Sequence, residues 1–369
     1  MKVLVLTKRQ YTAKDLLNDR YGRLYELPEA LARQGHEVTG LTTSYRSRTS
    51  TYHLSPAGVD WHSINASPLA PLEWAGQLRK IEKPDVIWAS SDAPHCIAAA
   101  ILSKRWDVPA VLDLYDNYDY FGLTRIPGIT TAFHRACRSA AHLTMASHTL
   151  ASHVRERITM GVPVTVIPNG VRTDLFRPMA RRHCREVLGL PPDACLVGTV
   201  GAIHRNRGIG DLFEAFDLLA KEDPNLHLVI AGPRDKTIDR YRSSRILDLG
   251  IIDWRQVPTV INALDIAVVC NRNDGFGKYC HPLKLTEALA CGVPVCAAET
   301  GDAALLLSNN PEALYTPGDP YELAQQIHNQ LTNTSKALAP KPDSWKKVGE
   351  KLASCLHLAT TASERHPAL

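Results

Sequence analysis

The sequence predicts an α/β protein built from two parallel-sheet domains. Apolar strand patterns alternate with helical patterns from Lys2 onward, as expected for parallel strands covered by helices. A second series of such patterns begins after a turn-rich segment at 168–178. The length of 369 residues also suits two domains better than one. We therefore place the domain boundary at about residue 170.

The elements of the first domain follow from local periodicity. The segment 2–7 is a short apolar run typical of a buried strand, and 22–33 carries apolar residues at helical spacing. Gly35 ends that helix, and the next strand begins there. The same patterns predict further strands at 85–89, 109–114 and 164–167 and helices at 92–104 and 127–141.

The second domain repeats the alternation. We predict strands at 195–200, 226–231, 264–270 and 292–297, and helices at 208–220, 257–263 and 282–290. A last helix at 344–358 places Trp345, Val348, Leu352 and Leu356 on one face.

Composition limits the class of protein. Hydrophobic residues make up 44% and charged residues 22%, which is ordinary for a soluble globular chain, and the net charge of +4 is a weak bias that allows anionic partners without requiring them. The nine cysteines have neither Cys-x-x-Cys nor zinc-ligand spacing. No apolar run approaches the roughly 18 residues of a membrane span, and the first strand is too short for a signal-peptide core. We expect a cytoplasmic protein with reduced thiols and no metal.

Two nucleotide-binding motifs are absent. No Gly-x-Gly-x-x-Gly follows any strand, and the nearest pattern, at 198–201, has the wrong spacing for a dinucleotide turn. There is also no Gly-x-x-x-x-Gly-Lys-[Ser/Thr]. These absences count against an NAD-dependent oxidoreductase and a P-loop kinase.

The segment 273–299 concentrates small residues, turn chemistry and one carboxylate. Two apolar strands enclose the loop Asp274-Gly275-Phe276-Gly277 and a short helix that opens with Pro282. A helix N-terminus beside a glycine loop offers backbone N–H groups to an anion or to sugar hydroxyls. Glu287 lies on this helix; the alternative is an ordinary αβ unit in which Glu287 is solvated.

Five segments share the pattern of one known family. They are 35–38 (GHEV), 166–178 (VIPNGVRTDLFRP), 198–208 (GTVGAIHRNRG), 257–265 (VPTVINALD) and 282–295 (PLKLTEALACGVPV). Together they resemble the GT-B-fold retaining glycosyltransferases of family 4, also called group 1. The resemblance extends from the first strand to the Trp345 helix.

The resemblance implies two Rossmann-like domains that face each other across a cleft. The N-terminal domain, residues 1–170 with the returning C-terminal segment 344–369, would bind the acceptor. The C-terminal domain, residues 171–343, would bind the nucleotide sugar.

The resemblance also implies the chemistry. A hexose would pass from a nucleotide-diphosphate sugar to a hydroxyl of a glycan, lipid-linked or small-molecule acceptor, with retention of configuration. The departing phosphate would take the acceptor proton, and neither cofactor nor metal would take part. We expect a role in polysaccharide, lipid-linked glycan or glycoconjugate biosynthesis and no nucleic-acid partner.

Departures from the family pattern leave two alternatives open. One is a GT-B enzyme of other nucleotide-sugar chemistry, such as an epimerase or hydrolase. The other is a catalytically silent subunit that binds nucleotide sugar.

The phosphate-binding segment is altered. Arg207 stands where the family has its phosphate lysine, whereas the companion arginine would fall at Ala202, which cannot serve. Arg205 is the replacement that the sequence offers, and Lys284 is a second candidate phosphate ligand. The alternative for each is a solvated cation.

The remaining donor contacts also follow from the resemblance. Glu287 matches the glutamate that binds ribose hydroxyls. Its upstream partner falls on Tyr279 by spacing or on Asp274 by alignment, and we favour Asp274. Together with Asp274, the backbone N–H groups of Gly275, Phe276, Gly277 and Lys278 would contact the donor sugar. The base would lie beside Gly232, Pro233 and Ile252, with UDP, GDP, ADP and dTDP all open.

The first domain supplies the acceptor side. Tyr21-Gly22-Arg23 occupies the place of the family's glycine loop, and its side chains are expected to line the acceptor site or approach the pyrophosphate. After the strand 109–114 the family commonly has His-Asp, whereas this chain has Tyr115-Asp116-Asn117-Tyr118. Asp116 is then the titratable group of this segment best placed to act on the acceptor. Its alternative role is to close a turn.

Residues 124–141 combine apolar side chains with Arg125, Arg135 and Arg138. The pattern allows an amphipathic basic segment that contacts the inner face of an anionic membrane. The alternative is a helix packed on the core with a solvated face.

Overall fold

The computed structural model describes residues 1–11, 14–46, 51–120, 122–158, 161–332 and 341–365. The chain divides into two compact units. Unit 1 comprises Met1–Gly170 and the chain from Trp345 onward, and unit 2 comprises Val171–Ser344. Within the described ranges, no helix is long and apolar enough to cross a membrane.

Unit 1 is built on an eight-stranded sheet with the order β10-β9-β8-β7-β1-β4-β6-β5. Only β5 runs antiparallel to its neighbour. The strands are β1 Lys2–Lys8, β4 Glu37–Ser44, β5 Thr51–Leu54, β6 Asp60–Asn65, β7 Val86–Ser90, β8 Ala110–Leu114, β9 His142–Met145 and β10 Val164–Val166, and β2 Gln10–Tyr11 pairs with β3 Lys14–Asp15 in a small separate ribbon.

Helices cover this sheet. They are α1 Leu16–Asp19, α2 Arg23–Arg33, α3 Ala70–Leu78, α4 Ala93–Trp106, α5 Ile129–Ser139, α6 His148–Arg157 and the last helix, α13 Trp345–Arg365. The last helix belongs to this unit because Val348 and Leu352 are fully buried in one core cluster with Leu24 and Leu27 of α2. The two helices approach closely at Gly349, where a Cβ would lie 2.4 Å from the Cβ of Ala30.

Unit 2 contains a six-stranded parallel sheet with the order β13-β12-β11-β14-β15-β16. Its strands are β11 Cys195–Val200, β12 Leu226–Ala231, β13 Ile246–Asp248, β14 Ile266–Val269, β15 Val295–Ala298 and β16 Leu314–Tyr315. The helices are α7 Arg181–Leu188, α8 Gly210–Leu219, α9 Val257–Ala263, α10 Leu283–Ala290, α11 Asp302–Leu306 and α12 Pro320–Thr332.

The predicted α/β class with two parallel-sheet domains is confirmed. β11, β12 and α9 have the predicted bounds, because each is a continuous apolar pattern with clear turn residues on both sides. The prediction missed β13 and β16 of unit 2, since strands of three and two residues carry no measurable period. It also missed β5, β6 and β9 of the unit 1 sheet.

Candidate functional site

The loops that follow β11 and β12 lie in direct contact in unit 2. A Cβ on Gly232 would come within 2.3 Å of the Gly201 carbonyl oxygen, so only glycine allows this approach. The Gly201 N–H donates to Ala231 O at 2.7 Å, and the Ile203 N–H donates to Pro233 O at 2.9 Å. The two loops therefore form one braced edge at the carboxyl ends of the strands.

The backbone groups of Gly232 and Pro233, which are expected beside the base, form hydrogen bonds within the fold. The Gly232 N–H donates to Gly250 O at 2.7 Å, and the Pro233 carbonyl already accepts the bond from Ile203. These two backbone groups serve the fold, but a carbonyl oxygen can accept a second hydrogen bond, so the expectation that the base lies beside Gly232 and Pro233 stays a prediction. Ile252 packs partly buried against the unit 2 core, and its contact with a base stays a prediction.

Lys284 lies against the turn after β11. Its ammonium donates to Ala202 O at 3.2 Å, and its Cε lies 2.7 Å from where a Cβ on Gly201 would be. The cation therefore occupies the neighbourhood of residue 202, where the sequence offers only alanine. Burial lowers the pKa of Lys284 to about 8; the Arg207 guanidinium also lowers it, whereas Glu287 acts to raise it.

Arg207 is held by an aromatic ring. It ends a short 3₁₀ turn, Arg205–Arg207, and its guanidinium carbon lies 3.7 Å from the centroid of the Phe276 ring. Within the described part of the chain, the side chains of Arg207 and Lys284 form no ion pair, and the guanidinium has no hydrogen-bond acceptor. Among the described residues, neither of these two neighbouring cations forms an ion pair with a carboxylate, and Glu287 acts on Lys284 only through its charge.

Arg205 does not join these two cations. Its side chain is exposed and lines a separate open cavity with His204, Asn206, Asp235 and Arg272. Its backbone is used in the fold, because the Arg205 N–H donates to Asp235 Oδ2 and its carbonyl accepts from Arg272 Nε, both at 2.9 Å. Of the two, Lys284 is the one with an observed side-chain contact to residue 202, and a phosphate contact by Arg205 stays a prediction.

Asp274 closes its own loop. Its Oδ1 accepts from the N–H groups of Phe276 and Gly277, each at 2.9 Å, and its carbonyl accepts from the Lys278 N–H at 3.0 Å. This is an Asx-type turn, in which an aspartate satisfies the next backbone donors. These three N–H groups are used within the loop, which corrects the expectation that they contact the donor sugar, whereas a sugar contact by the Asp274 carboxylate stays a prediction. A sugar contact by Gly275 stays a prediction.

Glu287 follows Lys284 by three residues on α10, so both point to the same side of the helix. It is 7% exposed and lines a small cavity with Thr199, Val200 and Lys284. The expected contact of its carboxylate with ribose hydroxyls is a prediction that this placement leaves standing. Tyr279, the other position considered for the upstream glutamate, is half-buried.

Arg23 of unit 1 is an interior residue. Its Nε and Nη2 donate to the two carboxylate oxygens of Asp113 at 2.8 and 2.6 Å, and both side chains are fully buried. Nη1 donates to Ile167 O at 2.7 Å. A guanidinium enclosed in this way cannot meet a substrate, so the expectation that Arg23 lines the acceptor site is wrong. An acceptor-side role for Tyr21 and Gly22 stays a prediction.

Tyr118 is also internal. It is 5% exposed, and its hydroxyl accepts from the Ser91 N–H at 3.1 Å and donates to Asp113 O at 3.2 Å. Burial raises its pKa well above the usual value. The acceptor role expected for Tyr118 is therefore corrected, whereas half-buried Tyr115 donates its hydroxyl to Ser91 O at 3.2 Å.

Asp116 belongs to a charged cluster at the carboxyl ends of β1, β7 and β8. Burial lowers the pKa of Lys8, at the end of β1, whereas Asp92 and Asp116 raise it, which places both carboxylates near its ammonium. Lys8 Nζ donates to Ser91 O at 3.2 Å. Sequence reasoning missed Lys8; a lysine that directly follows an apolar strand was the available signal.

The segment 124–141 divides between core and surface. Phe133 and Ala136 of α5 are 1% and 3% exposed, so the helix packs on the core. Exposed apolar side chains lie instead in the 3₁₀ turns before the helix, and exposed arginines lie at 125, 135 and 138. The exposed apolar residues are Tyr120 and Leu123 in these turns and Ile126 directly after the second turn.

Comparison with known proteins supports this account of the fold. The model described as "Glycosyl transferases group 1" matches residues 194–333, and the "Glycosyl transferase 4-like domain" matches residues 23–170. A Bacillus subtilis protein, whose name assigns it to teichuronic acid biosynthesis as a glycosyltransferase, is 28% identical across 70% of this chain and 69% of its own.

Solved structures show the same architecture. Sucrose-phosphate synthase from Thermosynechococcus elongatus superimposes with a TM-score of 0.72 and 19% identity, covering 99% of this chain and 98% of that one. HepE from Anabaena, in complex with UDP-glucose, gives a TM-score of 0.69 and 19% identity, covering 99% and 98% of the two chains.

The buried charge of Lys284 makes stability depend on pH. Its pKa is about 8 in the folded protein against 10.5 for an unperturbed lysine, so the charged form opposes folding below pH 8. This penalty declines as the pH rises from 8 towards 10.5. Lys284→Met should therefore raise the thermal midpoint at pH 7, and its advantage over wild type should shrink at pH 10.

Thermal unfolding of the matched variant Lys278→Met supplies the control, because Lys278 is exposed. That variant should differ little from wild type at either pH. A Lys284→Met protein that is less stable than wild type at pH 7 and relatively more stable at pH 10 would contradict the assignment.

Proposed function

The chain belongs to the group 1 glycosyltransferases of the GT-B fold, and on this premise we propose that it transfers a hexose from a nucleotide-diphosphate sugar to a hydroxyl group with retention of configuration. The observation that carries the proposal is the pair of neighbouring cations, Lys284 and Arg207, that have no carboxylate partner among the described residues. Such a pair suits the two phosphates of the leaving group. The complex of HepE with UDP-glucose supports a nucleotide sugar as the donor.

The cations would act on the leaving group. When the bond between the sugar and the diphosphate breaks, negative charge grows on the phosphate oxygens, and fixed donors stabilise it more strongly in a site shielded from water. The Lys284 ammonium keeps donors beyond its bond to Ala202, and the edges of the Arg207 guanidinium are free. The departing phosphate would accept the proton of the acceptor hydroxyl, so the reaction needs no carboxylate nucleophile and no metal.

Unit 1 would supply the acceptor side through Asp116. Its carboxylate lies near the Lys8 ammonium. An ionised carboxylate can orient the hydroxyl of a glycan, a lipid-linked sugar or a small molecule. Asp116 Oδ1 also accepts from the Asn117 N–H at 3.0 Å, which holds the side chain in place.

A second proposal concerns the acceptor's location. Tyr120, Leu123 and Ile126 are each roughly half exposed in or directly after neighbouring 3₁₀ turns of unit 1, and Arg125 lies exposed among them. Apolar side chains that enter the headgroup region, with arginines that attract anionic lipid, are the pattern of a peripheral membrane contact. We propose that unit 1 contacts an anionic membrane surface through these turns, which would suit a lipid-linked acceptor.

Donor binding tests the enzyme proposal. One of UDP, GDP, ADP and dTDP should bind in a calorimetric titration, and Glu287→Ala should weaken it by about 1 to 3 kcal/mol, because an ionised hydrogen-bond acceptor is lost. Glu222→Ala, at an exposed position of the same unit, should have no effect. With the matching sugar nucleotide, diphosphate should be released only when an acceptor is added.

Other results would favour the alternatives. Rapid release of diphosphate without an acceptor would indicate hydrolysis, and binding without turnover for any acceptor would indicate a silent subunit. If none of the four diphosphates binds, the donor site is misplaced.

Vesicle sedimentation tests the membrane proposal. The protein should sediment with phosphatidylglycerol-containing vesicles at low salt, but not with phosphatidylcholine alone, because the arginines need anionic lipid. Replacing both Leu123 and Ile126 by serine should abolish sedimentation. The same change at Leu69 and Leu72, exposed residues at the start of α3, should not. Equal loss in both double variants would overturn the proposed surface.

A further inference from the structure

We propose that Phe276 is a positioning residue that holds the Arg207 guanidinium in the orientation required by the donor diphosphate. This inference rests on the proposed function and extends it. The Phe276 side chain would then act on the phosphates through Arg207.

The contact between the two side chains carries the inference. The guanidinium carbon of Arg207 lies 3.7 Å from the centroid of the Phe276 ring, so the flat cation rests on the aromatic face. This arrangement uses the face of the guanidinium and leaves its N–H edges open. In the described part of the chain, no carboxylate pairs with Arg207. An arginine with many rotamers is thus ordered without loss of its hydrogen-bond donors.

Phe276 does not serve as an ordinary core residue. Its side chain is only half-buried, although phenylalanine is usually well buried. It is absent from both hydrophobic core clusters of unit 2. The ring is therefore kept at the surface of the unit, where it meets a cation.

The loop that carries the ring is built to be rigid. Asp274 Oδ1 accepts from the Phe276 N–H itself, which fixes the backbone at the ring. Gly277 lies so close to the preceding chain that a Cβ would come within 1.9 Å of Arg272 O. Arg272 Nε in turn donates to Arg205 O at 2.9 Å. This second contact joins the same two loops and sets the distance between Phe276 and Arg207.

A double-mutant cycle tests the inference. The variants are Phe276→Leu, Phe276→Tyr and Arg207→Met, with the combination of Phe276→Leu and Arg207→Met. The readouts are the dissociation constants of UDP, GDP, ADP or dTDP, whichever binds, and of the corresponding nucleoside without phosphates. Thermal unfolding of each variant shows that the fold is kept.

We expect Phe276→Leu to weaken diphosphate binding by about threefold to tenfold, the size of a lost contact between an arginine and an aromatic ring. Binding of the nucleoside should not change. Phe276→Tyr should bind the diphosphate like wild type, because the aromatic face is kept. In the Arg207→Met background, Phe276→Leu should have no further effect, since the two residues act as one.

If the diphosphate binds, two results would overturn this inference and leave the proposed function standing. One is an equal effect of Phe276→Leu in the presence and absence of Arg207. The other is an equal loss of affinity for the nucleoside, which would show that the ring contacts the base or supports the fold in general. Failure of the wild-type protein to bind any of the four diphosphates would instead overturn the proposed function, and this inference with it.

Discussion

The placement of the Lys284 ammonium, largely removed from water and beside a second cation, Arg207, is the feature around which the candidate donor site of unit 2 is built. Two like charges held near each other, one of them largely removed from water, raise the free energy of the folded protein unless an anion joins them. The fold holds them there by several means. Lys284 projects from α10 against the Gly201 turn, and the Phe276 ring packs against the Arg207 guanidinium. This stored cost is the physical reason to expect a phosphate ligand at this edge.

The topology of the two sheets explains why the charged groups gather where they do. In a parallel sheet the loops after the strands all leave from one edge, and neighbouring strands bring distant parts of the chain together. β11 lies between β12 and β14, so the loops that hold Arg207 and Phe276 leave from neighbouring strands. In unit 1, β1 lies between β7 and β4, and Lys8 meets Asp92 and Asp116 at the same kind of edge.

Most of the fold could be predicted from the sequence, because buried parallel strands are apolar runs separated by turn residues. The sequence also predicts Arg207 and Lys284 as candidate phosphate ligands, although no local pattern ranks Lys284 above Arg205. The preference for Lys284 depends on the direction in which its side chain leaves α10. The structure shows this direction through the hydrogen bond from Lys284 to Ala202 O.

The errors have a common physical cause. Arg23 and Asp113 are 90 residues apart in sequence, and no local pattern shows that they form a buried pair. The backbone N–H groups of Phe276 and Gly277 could bind a sugar or close a turn, and only the observed bonds to Asp274 Oδ1 decide between the two roles. Polar residues in loops can thus be identified from the sequence as candidates, whereas their partners depend on the folded chain.

A crystal structure of the protein with the nucleoside diphosphate that binds would test the central claim most directly. Phosphate oxygens should lie within hydrogen-bond distance of both Lys284 Nζ and the Arg207 guanidinium, and the Phe276 ring should still stack on that guanidinium. Phosphates bound instead at Arg205 and Arg272, with Lys284 and Arg207 left without an anion, would contradict it.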